Sequence, residues 1–101
     1  MRKKRGTPTV TISQVESGKV IQVWVESGDD RHRMWARVKK SNGQSFSCFA
    51  YLDEGATAAT VALSQLQLLR DALANSLNVE ILSEMVGANS TRKIRSVKIS
   101  L

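Results

Sequence analysis

The chain has 101 residues, of which 42% are hydrophobic and 24% are charged. This length suits one domain, and the composition is that of a folded protein rather than a disordered one. No apolar run approaches the roughly 18 residues of a membrane-spanning helix. One Cys and one His exclude an intrachain disulfide and a zinc site of the usual kind.

Positive charge is concentrated in three places along the chain. Lys and Arg number 15 against 9 Asp and Glu, a formal net charge of +6. Residues 2–5 are all basic, which predicts a flexible arm over 1–6, followed by one domain over 7–101. Further basic groups lie at 31–40 and 92–98. Such clusters are typical of phosphate-binding surfaces, and a merely solubilising surface is the alternative.

The N-terminal residues also bear on the compartment. After the basic arm come Gly6, Thr7, Pro8 and Thr9, where a signal peptide would need an apolar segment. The unpaired Cys48 agrees with a reducing environment. The sequence therefore predicts a cytoplasmic protein.

Alternating apolar and polar residues predict four strands before residue 53. These strands cover 9–15, 19–26, 33–40 and 44–52. Turn residues separate them, at 16–18 (Glu-Ser-Gly), at 27–30 and at the Asn42-Gly43 hairpin signal.

The periodicity becomes helical over 56–75, a stretch rich in Ala and Leu without Gly or Pro. One apolar face is expected to be buried, with a second, weaker stripe beside it. The first comprises Ala59, Ala62, Leu63, Leu66, Leu69 and Leu73, and the second Val61, Leu68 and Ala72. Asp53 and Glu54 precede the helix and are expected to interact with its positive end. Asn75, Ser76 and Asn78 supply stop signals.

Two more strands follow, at 79–83 and 92–101, with a turn over 87–90 between them. In the last strand the apolar step from Ile94 to Val97 is three residues instead of two. This step predicts a β-bulge.

The order of elements predicts a mainly β protein with one helix. It reads β-β-β-α-β-β with a possible extra N-terminal strand, which favours an OB-like five-stranded barrel. The alternative is a curved sheet packed on a helix, as in Whirly-type single-strand binders. Strand pairing separates the two folds, and it cannot be read from the order alone.

The C-terminal half adds a resemblance. Its helix, the segment 78–82, a Gly/Asn/Ser turn and the final strand 93–99 resemble the C-terminal half of cholera-toxin-type B subunits. The resemblance covers roughly the last 45 residues and, because those subunits are OB-folds, it implies a barrel. They also carry a disulfide and a signal peptide, whereas this sequence has a single Cys and is expected to have no signal peptide. The resemblance therefore implies neither toxin activity nor sugar-binding residues.

Strand alternation sorts the side chains of the central strands into two faces. The expected core face is apolar throughout: Ile21, Val23, Val25, Met34, Ala36, Val38, Phe46, Cys48, Ala50 and Leu52. The opposite face carries four of the five aromatic residues together with basic ones. With the adjoining loop, the candidate site comprises Trp24, Trp35, Arg37, Lys39, Phe49, Tyr51, Arg31 and Arg33.

This mixture of side chains predicts binding of single-stranded DNA or RNA. Bases stack on aromatic rings, and neighbouring cations bind the phosphates. Two alternatives use the same face as a second core or as a homo-oligomer interface. In the latter case the chain would be a homo-oligomeric OB-fold protein that binds a protein or an oligosaccharide.

Catalytic and cofactor motifs are not found in the sequence. Neither the P-loop pattern nor the dinucleotide-binding glycine pattern occurs. His32 lies in a charged turn and is expected to be solvated. Cys48 alternates with the core residues and is expected to be a buried small hydrophobe. We therefore expect a non-enzymatic protein without a cofactor.

Overall fold

The computed structural model describes residues 11–28, 31–86 and 92–100. In chain order these residues form β1 (Thr11–Ser27), β2 (His32–Lys39), β3 (Ser45–Tyr51), α1 (Ala56–Asn75), β4 (Asn78–Val86) and β5 (Arg92–Ser100). The described part of the chain is therefore mainly β with a single helix, as the sequence predicts. The basic arm predicted at 1–6 lies outside the described residues.

The five strands form a closed sheet in the order β1-β2-β3-β5-β4, with β4 paired to β1. Neighbouring strands are antiparallel, except for a short parallel contact in which Cys48 and Phe49 of β3 face Arg92 and Lys93 of β5. The helix α1 connects β3 to β4. Because the sheet is closed, it differs from the alternative fold, in which a curved sheet packs on a helix.

β1 is one strand of 17 residues, whereas the sequence predicts two strands and a turn at 16–18. Its first half pairs with β4 and its second half with β2, and Lys19 lies opposite both Asn78 and Lys39. A Cβ atom on Gly18 would lie 2.3 Å from the carbonyl oxygen of Lys39. Gly18 therefore permits the close approach of β2 where β1 changes partner, and the predicted turn is wrong. The possible extra N-terminal strand is the first half of β1.

A register shift between Val20 and Gln22 changes which β1 side chains face the core. Val20 is buried, while Ile21 at the shift is 46% exposed. Val23 packs against the core, but Val25 is 57% exposed beside α1. The core positions predicted for Ile21 and Val25 are therefore wrong. Ile21 is the extra residue at the register shift, whereas Val25 keeps the alternation of Val23 but borders the open groove beside α1.

The core prediction for β2 and β3 is confirmed. Met34, Ala36, Val38, Phe46, Cys48 and Ala50 are all buried, and Leu52 packs against them. The predicted bulge in β5 is also confirmed, since the β4–β5 register shifts where Leu82 faces Ser96 and Ser83 faces Ile94.

The β2–β3 hairpin turns at the predicted Asn42-Gly43 pair. The Gly43 N–H donates to the carbonyl oxygen of Lys40 at 3.0 Å, and the Lys40 N–H donates to that of Gln44 at 2.7 Å. Gly43 has a φ of 89°, a left-handed conformation that favours glycine.

The buried face of α1 lies between the two predicted stripes. It comprises Ala62, Gln65, Leu69 and Ala72, whereas Leu63 is 55% exposed. Gln65 is accommodated because its side-chain Nε2 donates to the carbonyl oxygen of Arg95 at 3.3 Å. The helix ends at Ser76 in a left-handed conformation, as its stop signals predict. None of the helices in the described residues combines the length and hydropathy needed to cross a membrane.

An ion-pair cluster connects three distant parts of the sheet. Glu16 of β1 accepts hydrogen bonds from Nε of Arg92 at the start of β5 and from Nζ of Lys40 after β2, at 2.5 and 3.2 Å. The Arg92 guanidinium also lies 4.7 Å from the ring centroid of Phe46. These contacts support the closure of the sheet where the parallel β3–β5 pairing is short.

Candidate nucleic-acid interface

Three aromatic side chains form a continuous row across the outer face of β1, β2 and β3. Trp24 lies opposite Trp35, and Trp35 lies opposite Phe49. The two indole rings are stacked, with centroids 5.8 Å apart and 5° between their planes, and the Trp35 and Phe49 centroids are 5.2 Å apart. All three side chains are half-buried. This aromatic row therefore keeps part of its ring surface open.

The centre of the aromatic row contains an unsatisfied hydrogen-bond donor. Nε1 of Trp35 is buried and has no hydrogen-bond partner among the described residues. Burying a donor without an acceptor is destabilising. An acceptor brought by a ligand, after a small shift of the covering side chains, would relieve that penalty.

Cationic side chains lie on both sides of the aromatic row. Arg37 lies opposite Gln22 and Ser47, and Arg33 lies opposite Glu26 and Tyr51. Each arginine is two residues from Trp35 along β2, about 7 Å by strand geometry. Lys39 continues the same face. Neither Arg37 nor Lys39 is ion-paired with a carboxylate of the described chain, so both charges are available to an anion.

A polar cavity of about 360 Å³ adjoins the aromatic row between β2 and the start of β3. Its lining combines an indole, three cations and several neutral donors: Trp35, Arg37, Lys40, Arg92, Gln44, Ser45 and Ser47. No described carboxylate lines this cavity, but Glu16 is paired with both Lys40 and Arg92. Arg37 and the neutral donors therefore favour an anionic or acceptor-rich group.

Two predicted site residues are already engaged with each other. The Arg31 guanidinium lies 3.7 Å from the ring centroid of Tyr51, and Arg31 is paired with Asp53 at 3.2 Å and Glu54 at 3.4 Å. Tyr51 also meets Phe49 edge-on, with centroids 5.1 Å apart. Tyr51 therefore has one ring face covered, and the charge of Arg31 is balanced locally. Both residues border the site rather than forming its centre.

Asp53 and Glu54 precede α1 as predicted, but neither side chain caps the helix through a hydrogen bond. The first helical turn carries no acidic residue, and Gly55 is its N-cap. Asp53 instead accepts the backbone N–H of His32 at 2.9 Å, and this bond, with the Arg31 ion pair, lowers the pKa of Asp53. His32 is exposed at the start of β2. The side chain of Asp53 thus interacts with Arg31 and with the backbone of His32, where β2 begins.

Two lysines that adjoin the predicted face are not among the predicted site residues, although Lys93 belongs to the basic group at 92–98. Lys93 lies opposite Phe49 in the parallel β3–β5 pairing and contacts Glu54 at 3.3 Å. Lys19 lies opposite Lys39. Only the strand register brings these lysines to the site, and the sequence contains no local signal for it.

Cys48 is buried on the inner face, as predicted, with Sγ 3.7 Å from the carbonyl oxygen of Ala36. Burial raises the pKa of the Cys48 thiol to about 12, against a smaller opposing effect of Arg92. The thiol therefore stays protonated at neutral pH.

The outer face of β1–β3 thus combines open aromatic surface with unpaired cations and hydrogen-bond donors. No group of three or more His, Cys, Asp or Glu side chains within the described ranges is placed to hold a metal ion. No protein-family model matches this chain, and no curated protein is significantly similar to it.

Proposed function

We propose that this chain is an OB-fold protein that binds single-stranded nucleic acid and catalyses no reaction. The order β1-β2-β3-β5-β4, with a helix between β3 and β4, agrees with a five-stranded OB barrel. OB-folds bind oligonucleotides on the face of their second and third strands. The candidate interface lies on the corresponding strands here.

The observation that carries the proposal is the aromatic row with Arg37 beside it. An aromatic ring stacks on any base, so a row of rings favours a flexible strand whose bases are free. A base on Trp35 would bring its phosphate within reach of Arg37. Both RNA and DNA can bind in this way, since stacking uses the bases and Arg37 binds the phosphate, and neither contact involves the sugar 2′-hydroxyl.

The direct test is a titration of tryptophan fluorescence with an unstructured oligonucleotide at about 50 and 200 mM salt. Saturable quenching that weakens as salt rises is expected, because bound phosphates release counterions. Unchanged fluorescence at low salt, together with no binding by sedimentation, would contradict the proposal.

Substituting Trp35→Ala tests the aromatic row itself. The variant should bind about 1–3 kcal/mol more weakly, the usual contribution of one stacked base. Leu68→Ala, at an exposed position of α1 that does not line the groove beside Trp24, is the matched control and should bind like the wild type. Urea unfolding checks that both variants fold, and Trp24→Ala replaces Trp35→Ala if the latter does not. If the folded Trp35→Ala or Trp24→Ala variant binds with wild-type affinity, no base stacks on the ring that was removed.

A second candidate function is self-association through a groove that adjoins the aromatic row and that Trp24 also lines. The β1 edge over Val20–Ser27 pairs only with β2 among the described residues, and a groove of about 830 Å³ separates it from α1. Exposed Val25, Leu63 and Leu73 line this groove. The same edge of a second copy could add a strand there. Sedimentation velocity tests this proposal, since a monomer at high protein concentration would exclude self-association.

A further inference from the structure

A second basic site lies beyond the aromatic row, where β1 changes its pairing partner. A cavity of about 490 Å³ opens there beside the end of β2, and Lys19, Lys39 and Lys40 all line it. Lys39 is four residues from Trp35 along β2, about 13 Å by strand geometry. Arg37 lies between them on the same face, so one continuous cationic path connects the aromatic row to this cavity.

The lysines of this cavity are poorly neutralised by the protein. Lys19 and Lys39 face each other directly in the β1–β2 register, and like charges in that position repel. Neither lysine is ion-paired within the described part of the chain. Lys40 has Glu16 as its partner, but Glu16 also binds Arg92. Among the described residues, no carboxylate lines this cavity.

The remaining lining suits a phosphate with a sugar attached. Ser17, Ser41 and Ser100 contribute hydroxyl groups, and exposed Ile21 adds an apolar wall. Serine hydroxyls and ammonium groups both donate hydrogen bonds to phosphate oxygens. The register irregularity at Ile21, which removes this side chain from the core, leaves it free to contact a ribose or deoxyribose.

We propose that this cavity binds one phosphodiester group of a bound strand, held by Lys19 and Lys39. The inference rests on the proposed function, since it extends the nucleic-acid path beyond the aromatic row. Binding of the phosphate would relieve the repulsion between the two ammonium groups.

The test compares Lys19→Gln/Lys39→Gln with the control Arg70→Gln/Lys98→Gln. Both double variants lose two positive charges, but the control residues lie outside the cavity. Oligonucleotide affinity is measured across a salt series. The cavity variant should reduce the slope of log K against log salt by about 0.7, the value of one lost phosphate contact on a single strand. A slope equal to that of the control would overturn the inference.

A second measurement separates this inference from the proposed function. Backbone amide NMR shifts are recorded with inorganic phosphate alone. We expect saturable shifts at Gly18, Lys19 and Ser41 that are lost in the cavity variant and kept in the control. If these shifts occur but no oligonucleotide binds, the cavity is a free-phosphate site and the proposed function fails. Absence of the shifts, or their persistence in the cavity variant, overturns the inference.

Discussion

The buried position of Cys48 determines the pKa of its thiol. Its side chain is fully buried on the inner face of β3, the strand between β2 and β5. This burial raises the thiol pKa to about 12. An unfolded chain would ionise the same thiol near its ordinary pKa of 9.0. The neutral form is thus favoured by folding.

The raised pKa of Cys48 predicts a pH dependence of stability. Its contribution is fully present below pH 9 and is lost as pH rises from 9 towards 12, because only the unfolded state readily releases the proton. The wild type should therefore lose stability relative to Cys48→Ala by about 1 kcal/mol per pH unit above pH 9. Urea unfolding of both proteins from pH 7 to pH 10.5 measures this difference. Parallel curves would show that the thiol ionises freely in the folded state.

Among the elements, the path of β1 depends on one glycine, Gly18. Gly18 lies where the strand passes from β4 to β2, and a Cβ there would also lie 2.9 Å from Cγ1 of Val38. The nearest atom, the carbonyl oxygen of Lys39, belongs to the backbone and cannot rotate away. Any side chain at this position must therefore push β1 and β2 apart.

Gly18→Ala should accordingly destabilise the protein by about 1–3 kcal/mol, the usual penalty for overpacking. Gly28→Ala is the matched control, since its Cβ would meet only the carbonyl oxygen of Arg31 at an ordinary 3.5 Å. That control should change stability by less than about 0.5 kcal/mol. Denaturant unfolding of both variants gives the comparison, and equal stabilities would mean that β1 and β2 separate easily at this point.

In α1 the apolar pattern predicts the buried face only in part. Leu63 and Leu69 both belong to the predicted buried stripe, yet Leu69 is fully buried and Leu63 is not. The buried face also contains Gln65, whose Nε2 donates to the carbonyl oxygen of Arg95 on β5. A pattern of apolar residues alone cannot identify such a polar side chain as buried.

At the scale of the whole molecule, Glu16 helps to close the sheet. Its side chain is only 10% exposed and pairs with Arg92 and Lys40, which lie 76 and 24 residues away in the chain. Removing one partner of a largely buried ion pair leaves the other charges poorly compensated. The β3–β5 contact near Arg92 is also the shortest strand pairing in the sheet.

Glu16→Gln should destabilise the fold by about 1–3 kcal/mol, less than for a fully buried pair because water still reaches the lysine. Glu80→Gln is the control, because its partner Lys98 is largely exposed and such a pair contributes about 0–1 kcal/mol. Thermal and urea unfolding compare the two variants. A Glu16→Gln protein as stable as the control would show that strand pairing alone closes the sheet.

The sequence by itself determined the mainly β class, the helix at 56–75, the Asn42-Gly43 hairpin and the bulge after Ile94. It also placed Trp24, Trp35 and Phe49 on one face. Each of these follows from local periodicity or turn chemistry, which a short stretch of chain contains in full.

The tertiary structure alone decided features that depend on residues distant in sequence. These include the continuity of β1 through Gly18, the balance of the Arg31 charge by Asp53 and Glu54, and the meeting of Lys19 with Lys39. Each arises where residues about 20 or more positions apart in the chain are brought together by strand pairing or by connections between strands. Strand register and the path of the backbone set these contacts, and no local pattern encodes them.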